Sequence, residues 1–398
     1  MEEVEFLVVG CGPAGGIAAR EAARSGVETL VLERDPVVGA KRVCAAGLRP
    51  GFCADFDLPA SIVHCTPTVL AAFGLEGRRY DFPIGKSQTT TREELDGTIG
   101  ALARAEGATL RTRALFRSLE RDGARTIVEY ADLATGERKR VRAGGVFLAP
   151  GSSVRLDEHG PLGYPGWRDG LVTCLQYRVY LERPAVPAAY EALEMYYYRS
   201  PFGRNIIGWM FPKRDHLSIG LGVGAKIDGK ELRVELNALL ARVRMRLFPG
   251  IGYTLREEGN LLYGGKPRPR IADGNIMVGG TAAGLVDATT GEGIHEAATS
   301  GRFAAQAMVA FKRGGNASPA LAYEHWTKRA FYGRLLHRYK LITYLERRPK
   351  LYDVLFDQIA KDRRLCELLQ RDRNDFSFSE WLYLYVQAAL FSANALRA

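Results

Sequence analysis

Gly10-Cys-Gly12-Pro-Ala-Gly15 decides how the chain begins to fold. The apolar run Glu5-Phe-Leu-Val-Val-Gly10 leads into it as a short strand, and Pro13 stands at a first helical position, where a missing N–H costs nothing. In this G-x-G-x-x-G pattern the first glycine permits the turn and the second lets backbone approach a pyrophosphate. The third lets helix and strand pack closely. The spacing predicts a helix to about Ser25, a stop at Gly26, and a second strand of parallel-sheet character over Glu28-Thr-Leu-Val-Leu-Glu33. Glu33 closes that strand 18 residues beyond Gly15, where a carboxylate accepts hydrogen bonds from both ribose hydroxyls. Strand, helix and acid together predict a dinucleotide-binding βαβ unit whose helix start offers free amides to an anion. The competing reading is a glycine-rich structural turn, and the motif by itself does not choose between FAD and NAD.

The 398 residues exceed the roughly 250–300 that one core usually holds, so two joined domains, or one with a large insertion, are expected. With 46% hydrophobic and 25% charged residues the composition is that of a globular protein, and no apolar run is long enough to predict a spanning helix. A net charge of +10 favours anionic partners. Met1 to Gly10 reads as a strand rather than an export signal, which predicts a cytoplasmic protein. The six cysteines form no C-x-x-C pair and no zinc-finger spacing with His, so no metal site is expected.

Pro36 to Gly85 shows no clear period and is expected to be irregular, wrapped over the sheet. Thr91-Arg-Glu-Glu94 has capping-box spacing and predicts a helix to about Ala105. Strands are predicted around 110–119, 126–129, 138–142 and 146–148, and residues 172–223 carry an antiparallel pattern rich in aromatics. Helices are predicted over Glu231–Phe248 and Gly293–Phe311, with a strand at Ile276–Gly279 between them, so the chain returns to its first domain. Helices dominate from Ala320 on. The terminal stretch from Glu380 to Leu396 is apolar almost all round, which fits either a buried core helix or contact with a bilayer surface. Basic stretches such as Arg242–Arg246 come with no groove-reading motif, so no nucleic-acid partner is expected.

Far along the chain, Gly280-Thr-Ala-Ala-Gly284-Leu-Val-Asp287-Ala-Thr-Thr-Gly291-Glu-Gly293-Ile-His295 follows a strand and precedes a helix. Here the chain resembles the para-hydroxybenzoate hydroxylase-type flavoproteins and, within them, the geranylgeranyl reductases, whose GDAAG and GEGI segments lie along the flavin. Lys41-Arg-Val-Cys44-Ala-Ala-Gly47 resembles their cysteine-bearing loop beside the flavin, and Arg92 with Asp96 resembles their helix start near the FAD chain. Gly208-Trp-Met-Phe-Pro212-Lys resembles their YxWxFP segment, which lines the isoprenoid site. The likeness spans roughly residues 5 to 312. It implies FAD as the cofactor, held by Gly10, Gly12, Pro13, Ala14, Gly15, Glu33, Arg34, Cys44, Ala45, Gly47, Arg92, Phe116 (through its backbone), Thr281, Gly291, Gly293 and Ile294.

The fold implied is α/β: a Rossmann-type FAD-binding domain (1–170 and 265–315), an inserted antiparallel-sheet substrate domain (171–264) and a C-terminal helical region (316–398). The activity implied is saturation of C=C bonds in a geranylgeranyl or other polyprenyl chain by hydride from reduced flavin. The substrate would be an isoprenoid lipid or prenyl diphosphate, with the electron donor unidentified and a peripheral contact at the inner face of the membrane. Tyr196, Tyr198, Trp209, Phe211 and Pro212 would wall the prenyl site, against the plainer reading of Trp209 and Phe211 as core. Lys213 or Arg214 would hold a phosphate at its mouth. Cys44 and His295 are the candidate proton donors, against the plainer readings of a buried small hydrophobe and a structural first-turn histidine. Thr281 replaces the Asp of GDAAG, Ala288 the following loop proline, Pro150 the Asp of the superfamily's ADG segment and Ile207 the tyrosine of YxWxFP. The rival readings are a flavin-dependent monooxygenase or halogenase on the same fold, and a flavin- or lipid-binding relative without turnover.

Overall fold

A computed structural model describes residues 1–40, 43–152, 162–224, 227–314, 318–370 and 376–395. In chain order the first elements are β1 (Glu2–Val9), α1 (Pro13–Arg24), β2 (Thr29–Leu32), β3 (Gly47–Leu48), α2 (Phe52–Asp55), β4 (Val69–Phe73), β5 (Arg79–Pro83) and β6 (Gln88–Thr89). Then come α3 (Arg92–Ala105), β7 (Thr109–Arg111), β8 (Ala114–Asp122), β9 (Arg125–Asp132), β10 (Arg138–Leu148), β11 (Leu171–Leu181), α4 (Ala188–Glu191), β12 (Ala192–Arg199), β13 (Asn205–Pro212) and β14 (Leu217–Gly224). The chain continues with α5 (Gly229–Leu247), β15 (Tyr253–Tyr263), β16 (Ala272–Asp273), β17 (Ile276–Val278), α6 (Ile294–Lys312), α7 (Pro319–Thr327), α8 (Gly333–Arg347), α9 (Leu351–Lys361), α10 (Arg363–Gln370) and α11 (Phe378–Ala395).

The first sheet runs β16-β17-β10-β1-β2-β7, with β9 on the near end of β10 and β8 beside β9. β1 lies between β10 and β2, parallel to both, and Phe6 to Val9 are buried, as expected of a strand covered on both faces. Half of the expected capping box forms at α3: Thr91 Oγ1 accepts a hydrogen bond from the Glu94 amide, while the Glu94 carboxylate lies 3.0 Å from His64 Nε2. β17 returns to pair in parallel with β10, so the glycine turn after β1 and the segment after β17 leave neighbouring parts of one sheet.

The second sheet runs β15-β11-β14-β13-β12-β4-β5. One face packs on α5, with Tyr196, Met210, Ile219 and Leu236 buried between them. The other face meets α8 and α9, where Met195, Tyr197 and Phe211 join Ile342, Tyr352 and Phe356. Two features differ from the sequence reading. The stretch 36–85 is not wholly irregular: β4 pairs in parallel with β12 and antiparallel with β5, so Val69–Pro83 belongs to the second sheet. β15, unforeseen, pairs along its whole length with β11. Its sequence YTLREEGNLLY is half exposed and polar at an edge, and so carries little of the alternation that announces a strand.

Candidate functional site

Backbone geometry at the first turn follows from two glycines. Gly10 sits at φ +89°, and a Cβ there would lie 2.5 Å from the Ala149 carbonyl oxygen. A Cβ on Gly15 would lie 1.9 Å from the Gly10 carbonyl oxygen, so only glycine lets α1 start this close to β1. No side chain caps α1 at Gly12, which leaves its first amides available to an anion. Glu33 closes this end: its carboxylate accepts from the Cys11 amide at 2.8 Å and the Asp35 amide at 3.0 Å, and burial pushes its pKa up. α6 starts in the same way as α1, with Gly293 at its N-cap and no side-chain cap.

Both helix starts line one cavity of about 720 Å³, within the usual range of about 300–1,000 Å³ for ligand sites. Its polar part is lined by Gly10, Gly12, Pro13, Ala14, Glu33, Arg34, Arg92, Phe116, Thr281, Gly291, Gly293 and Ile294. Cys44, Ala45 and Gly47 line it where it meets the second sheet. Gly15 does not line it and serves the packing beneath the turn. Arg92 is buried and forks onto Asp96, with Nε 2.9 Å from Oδ1. Lys41 and Arg42 of the quoted cysteine-bearing segment lie outside the described residues.

The apolar arm of the cavity runs between the second sheet and the C-terminal helices. Leu193, Met195, Tyr197, Trp209 and Phe211 form the sheet side, and Ile342, Leu345, Tyr352, Phe356 and Ile359 the helix side. Trp209 keeps its indole N–H satisfied on Gln176 Oε1 at 3.4 Å, which suits an aromatic in a dry wall. Tyr196 and Tyr198, expected in this wall, are on the opposite face. The β12–β13 register pairs Met195 with Trp209 and Tyr197 with Ile207, so the odd-numbered residues of β12 face the arm. Tyr196 instead stacks on Phe73 at 4.7 Å and belongs to the α5 side. Pro212 does not line the cavity, and its carbonyl accepts from Thr89 Oγ1 at 2.8 Å.

Three expected polar roles also move. The His295 ring packs edge-on to Phe52 and Phe56, at 6.3 and 6.0 Å between centroids, outside the cavity lining, and burial lowers its pKa. A first-turn side chain points where its neighbours leave room, and here α2 takes it. Lys213 is buried and donates to the carbonyls of Ala45 (2.6 Å) and Ala46 (3.3 Å), so it holds the cysteine loop rather than a phosphate. Ala46 is a non-glycine residue at φ +46°, a conformation this clamp helps to hold. Arg214 is exposed, with its guanidinium on the carbonyls of Ser61 and Val63.

Sequence reasoning missed the cluster that ties the helical region to the site. Arg49 reaches Glu292 and Glu296, Arg334 on α8 also reaches Glu296, and Arg338 lies 3.4 Å from Asp287. Arg49, Asp287, Glu292, Arg334 and Arg338 all line the cavity. The i, i+4 spacing of Arg334 and Arg338 was the available signal, since it puts two cations on one helix face.

No protein-family model matches the chain. It is 28% identical over 349 residues to digeranylgeranylglycerophospholipid reductase of Thermoplasma acidophilum, covering 83% of this chain and 85% of that protein. In structure it is similar to a geranylgeranyl bacteriochlorophyll reductase-like protein of the same organism (TM-score 0.74, 22% identity, 96% of both chains). It is also similar to a triple mutant of a flavin-dependent brominase (TM-score 0.72, 17% identity, 97% and 99% of the chains). These two likenesses establish the fold: a mixed α/β flavin-enzyme architecture. Geranylgeranyl diphosphate reductase of Rhodobacter capsulatus is 30% identical over 324 residues, which cover 78% of this chain and 76% of that protein. With that identity over more than two thirds of each chain, the chain belongs to the geranylgeranyl reductase family of oxidoreductases.

Proposed function

We propose that the protein is an FAD-dependent reductase that saturates C=C bonds of a geranylgeranyl or other polyprenyl chain. The observation that carries this reading is the continuity of one cavity from an uncapped helix start beside Glu33 to an arm walled by apolar and aromatic side chains. The residues fit FAD. The amides of α1 behind Gly12 would hold its pyrophosphate, Glu33 its ribose hydroxyls, Phe116 its adenine end through backbone, and the α6 start at Gly293 its ring system. Bound and reduced, FAD supplies the hydride that the chain's own side chains lack.

The protein's part is alignment and exclusion. An isolated alkene is barely polarised, so its carbons must be held within about 3–3.5 Å of the donor atom and away from water. Met195, Tyr197, Trp209 and Phe211 on one side and Tyr352 and Phe356 on the other supply that dry groove. The cysteine loop lies between the two parts of the cavity, fastened by Lys213. Of the two expected proton donors only Cys44 lines the cavity, which favours it as the donor to the second alkene carbon. A peripheral contact with the bilayer that carries the prenyl lipid completes the reading.

The test is anaerobic incubation of FAD-loaded protein with dithionite and geranylgeranyl diphosphate or a geranylgeranyl glycerophospholipid. The expected product gains two hydrogens per reduced bond by mass spectrometry. Bound flavin that leaves both lipids unchanged refutes the reading, and oxygen-dependent halogenation or hydroxylation would put the brominase likeness in its place.

A further inference from the structure

The last helix turns its apolar side outward. α11 carries no charged residue from Trp381 to Ala395, and Phe378, Leu382, Tyr385, Val386 and Leu390 are 84%, 55%, 70%, 50% and 49% exposed. At about 100° per residue these five fall within an arc of about 140°. The opposite side is fastened. Tyr383 donates to Asp362, the Gln387 side-chain amide reaches Asp362 at 3.0 Å, and the Gln358 side-chain amide reaches the Gln387 carbonyl at 2.8 Å. Phe391 and Ala395 pack against the same cluster as Tyr197 and Phe356. The outward face is thus set by the docking of the inner one. Five large apolar side chains in one exposed row mark an interaction surface.

Four observations favour a lipid surface as its occupant over a second copy of the chain. Between Lys328 and Gln370 there are eleven Lys and Arg against five Asp and Glu, and Arg347, Arg348, Lys350, Lys361, Arg363 and Arg364 are exposed. Two copies meeting at α11 would bring together Arg364 and its exposed neighbours Lys361 and Arg363 on α9 and α10, whereas anionic headgroups attract cations held near their surface. The Arg364 guanidinium stands over the Tyr383 ring at 4.6 Å, so cation and apolar face are adjacent. Among the described residues no helix is long and apolar enough to cross a membrane, which leaves α11 lying on a bilayer rather than in it. Finally, α9 and α10, on which α11 rests, supply Phe356, Ile359, Cys366 and Leu369 to the wall of the apolar arm.

We propose that α11 is the membrane-docking element: it lies in the plane of an anionic leaflet with Phe378, Leu382, Tyr385, Val386 and Leu390 among the acyl chains. The apolar arm is then one helix layer from the bilayer. This placement has a purpose only under the polyprenyl-reductase reading, but the binding itself is measured without turnover.

The experiment is co-sedimentation of the FAD-loaded full chain with vesicles of phosphatidylcholine containing about a third phosphatidylglycerol. Wild type is expected to partition to these vesicles and weakly to pure phosphatidylcholine. The triple variant Leu382→Ser, Val386→Ser, Leu390→Ser should lose about tenfold in partition while keeping the wild-type melting temperature and its turnover of detergent-dispersed substrate. A Tyr385→Trp variant should show a blue-shifted emission on adding anionic vesicles. Equal partition of the triple variant, an unshifted emission, or a light-scattering mass of two copies that the triple variant halves would overturn the proposal. Vesicle binding without prenyl reduction would instead leave α11 in place and remove the reductase reading.

Discussion

Lys213 carries an amine into the interior, where the carbonyls of Ala45 and Ala46 accept from it and no carboxylate pairs with it in the described contacts. Burial lowers its pKa from 10.5 to about 7, with Cys44 and Cys65 opposing the shift and Arg178 adding to it. A neutral amine still has two N–H groups for the two carbonyls, so the clamp survives deprotonation. Between pH 7 and 10.5 the unfolded chain holds this proton more tightly than the folded one, so the penalty on folding shrinks as pH rises, by about 1.4 kcal/mol per unit. Urea unfolding across that range should show wild type gaining on Lys213→Met as pH rises, and a flat difference would rule out a buried amine. The glycine turn separates packing from binding in the same way. Gly12 sits at φ −77° and a Cβ on it would lie 3.4 Å from Arg92 Nη2, facing the cavity, whereas one on Gly15 would meet backbone at 1.9 Å. Gly15→Ala is therefore expected to cost about 1–3 kcal/mol of stability. Gly12→Ala should keep the urea midpoint within about 1 kcal/mol and lower flavin retention on a desalting column. The turn from Gly10 to Gly15 and the strand end at Glu33 were legible because the backbone there is set by local spacing. His295 was not, because its direction depends on Phe52 and Phe56, which only folding brings beside it.

At the scale of elements the informative case is β12. Ala192 to Tyr197 are buried without a break, so nothing in the sequence says which tyrosines face which side; only the pairing with β13 does. Tyr197 faces the arm and donates to the Thr289 carbonyl at 3.1 Å, while Tyr196 stacks on Phe73 and bonds Glu194 and Arg246. Tyr196→Ala should cost about 3–5 kcal/mol in urea unfolding and leave the KM for prenyl substrate unchanged. Tyr197→Phe removes one hydroxyl from the arm wall and should change KM while costing about 1 kcal/mol or less. If both act on stability alone, the arm is not the prenyl site. β4 was illegible for a different reason: its partner β12 is more than a hundred residues away, and a short run beside Pro67 has no local signature of that parallel pairing. β1, α1, β2 and α3 were readable because each carries its own period and cap.

At the scale of the molecule, the cavity is a junction of three parts: the first sheet, the second sheet and the C-terminal helices. The helices are held to the junction by Arg334 on Glu296 and Arg338 on Asp287, and Arg338 also donates to the Leu369 carbonyl on α10 at 2.8 Å. Burial would raise both carboxyls, but Arg49 and Arg334 hold Glu296, and Arg338 and Thr289 hold Asp287, below their ordinary values. Glu292 moves the opposite way, raised by burial despite Arg49. For Asp287 and Glu296 the folded chain gives up the proton more readily than the unfolded one. Their contribution is thus complete above the ordinary carboxylate range of about 4 and is lost as pH falls through the depressed folded values. Removing one cation leaves a buried carboxylate without its partner, a loss of about 3–5 kcal/mol for such pairs. Arg338→Met should therefore be destabilised at neutral pH, with hydrogen exchange rising first in α8, α10 and the Asp287–Gly293 turn. Because the variant's Asp287 no longer gains from ionising, the gap to wild type should narrow as the pH is taken below about 4. A gap that stays constant with pH, or faster exchange confined to β1 and β2, would mean that the helices are held by apolar packing alone and that the ion pairs add nothing.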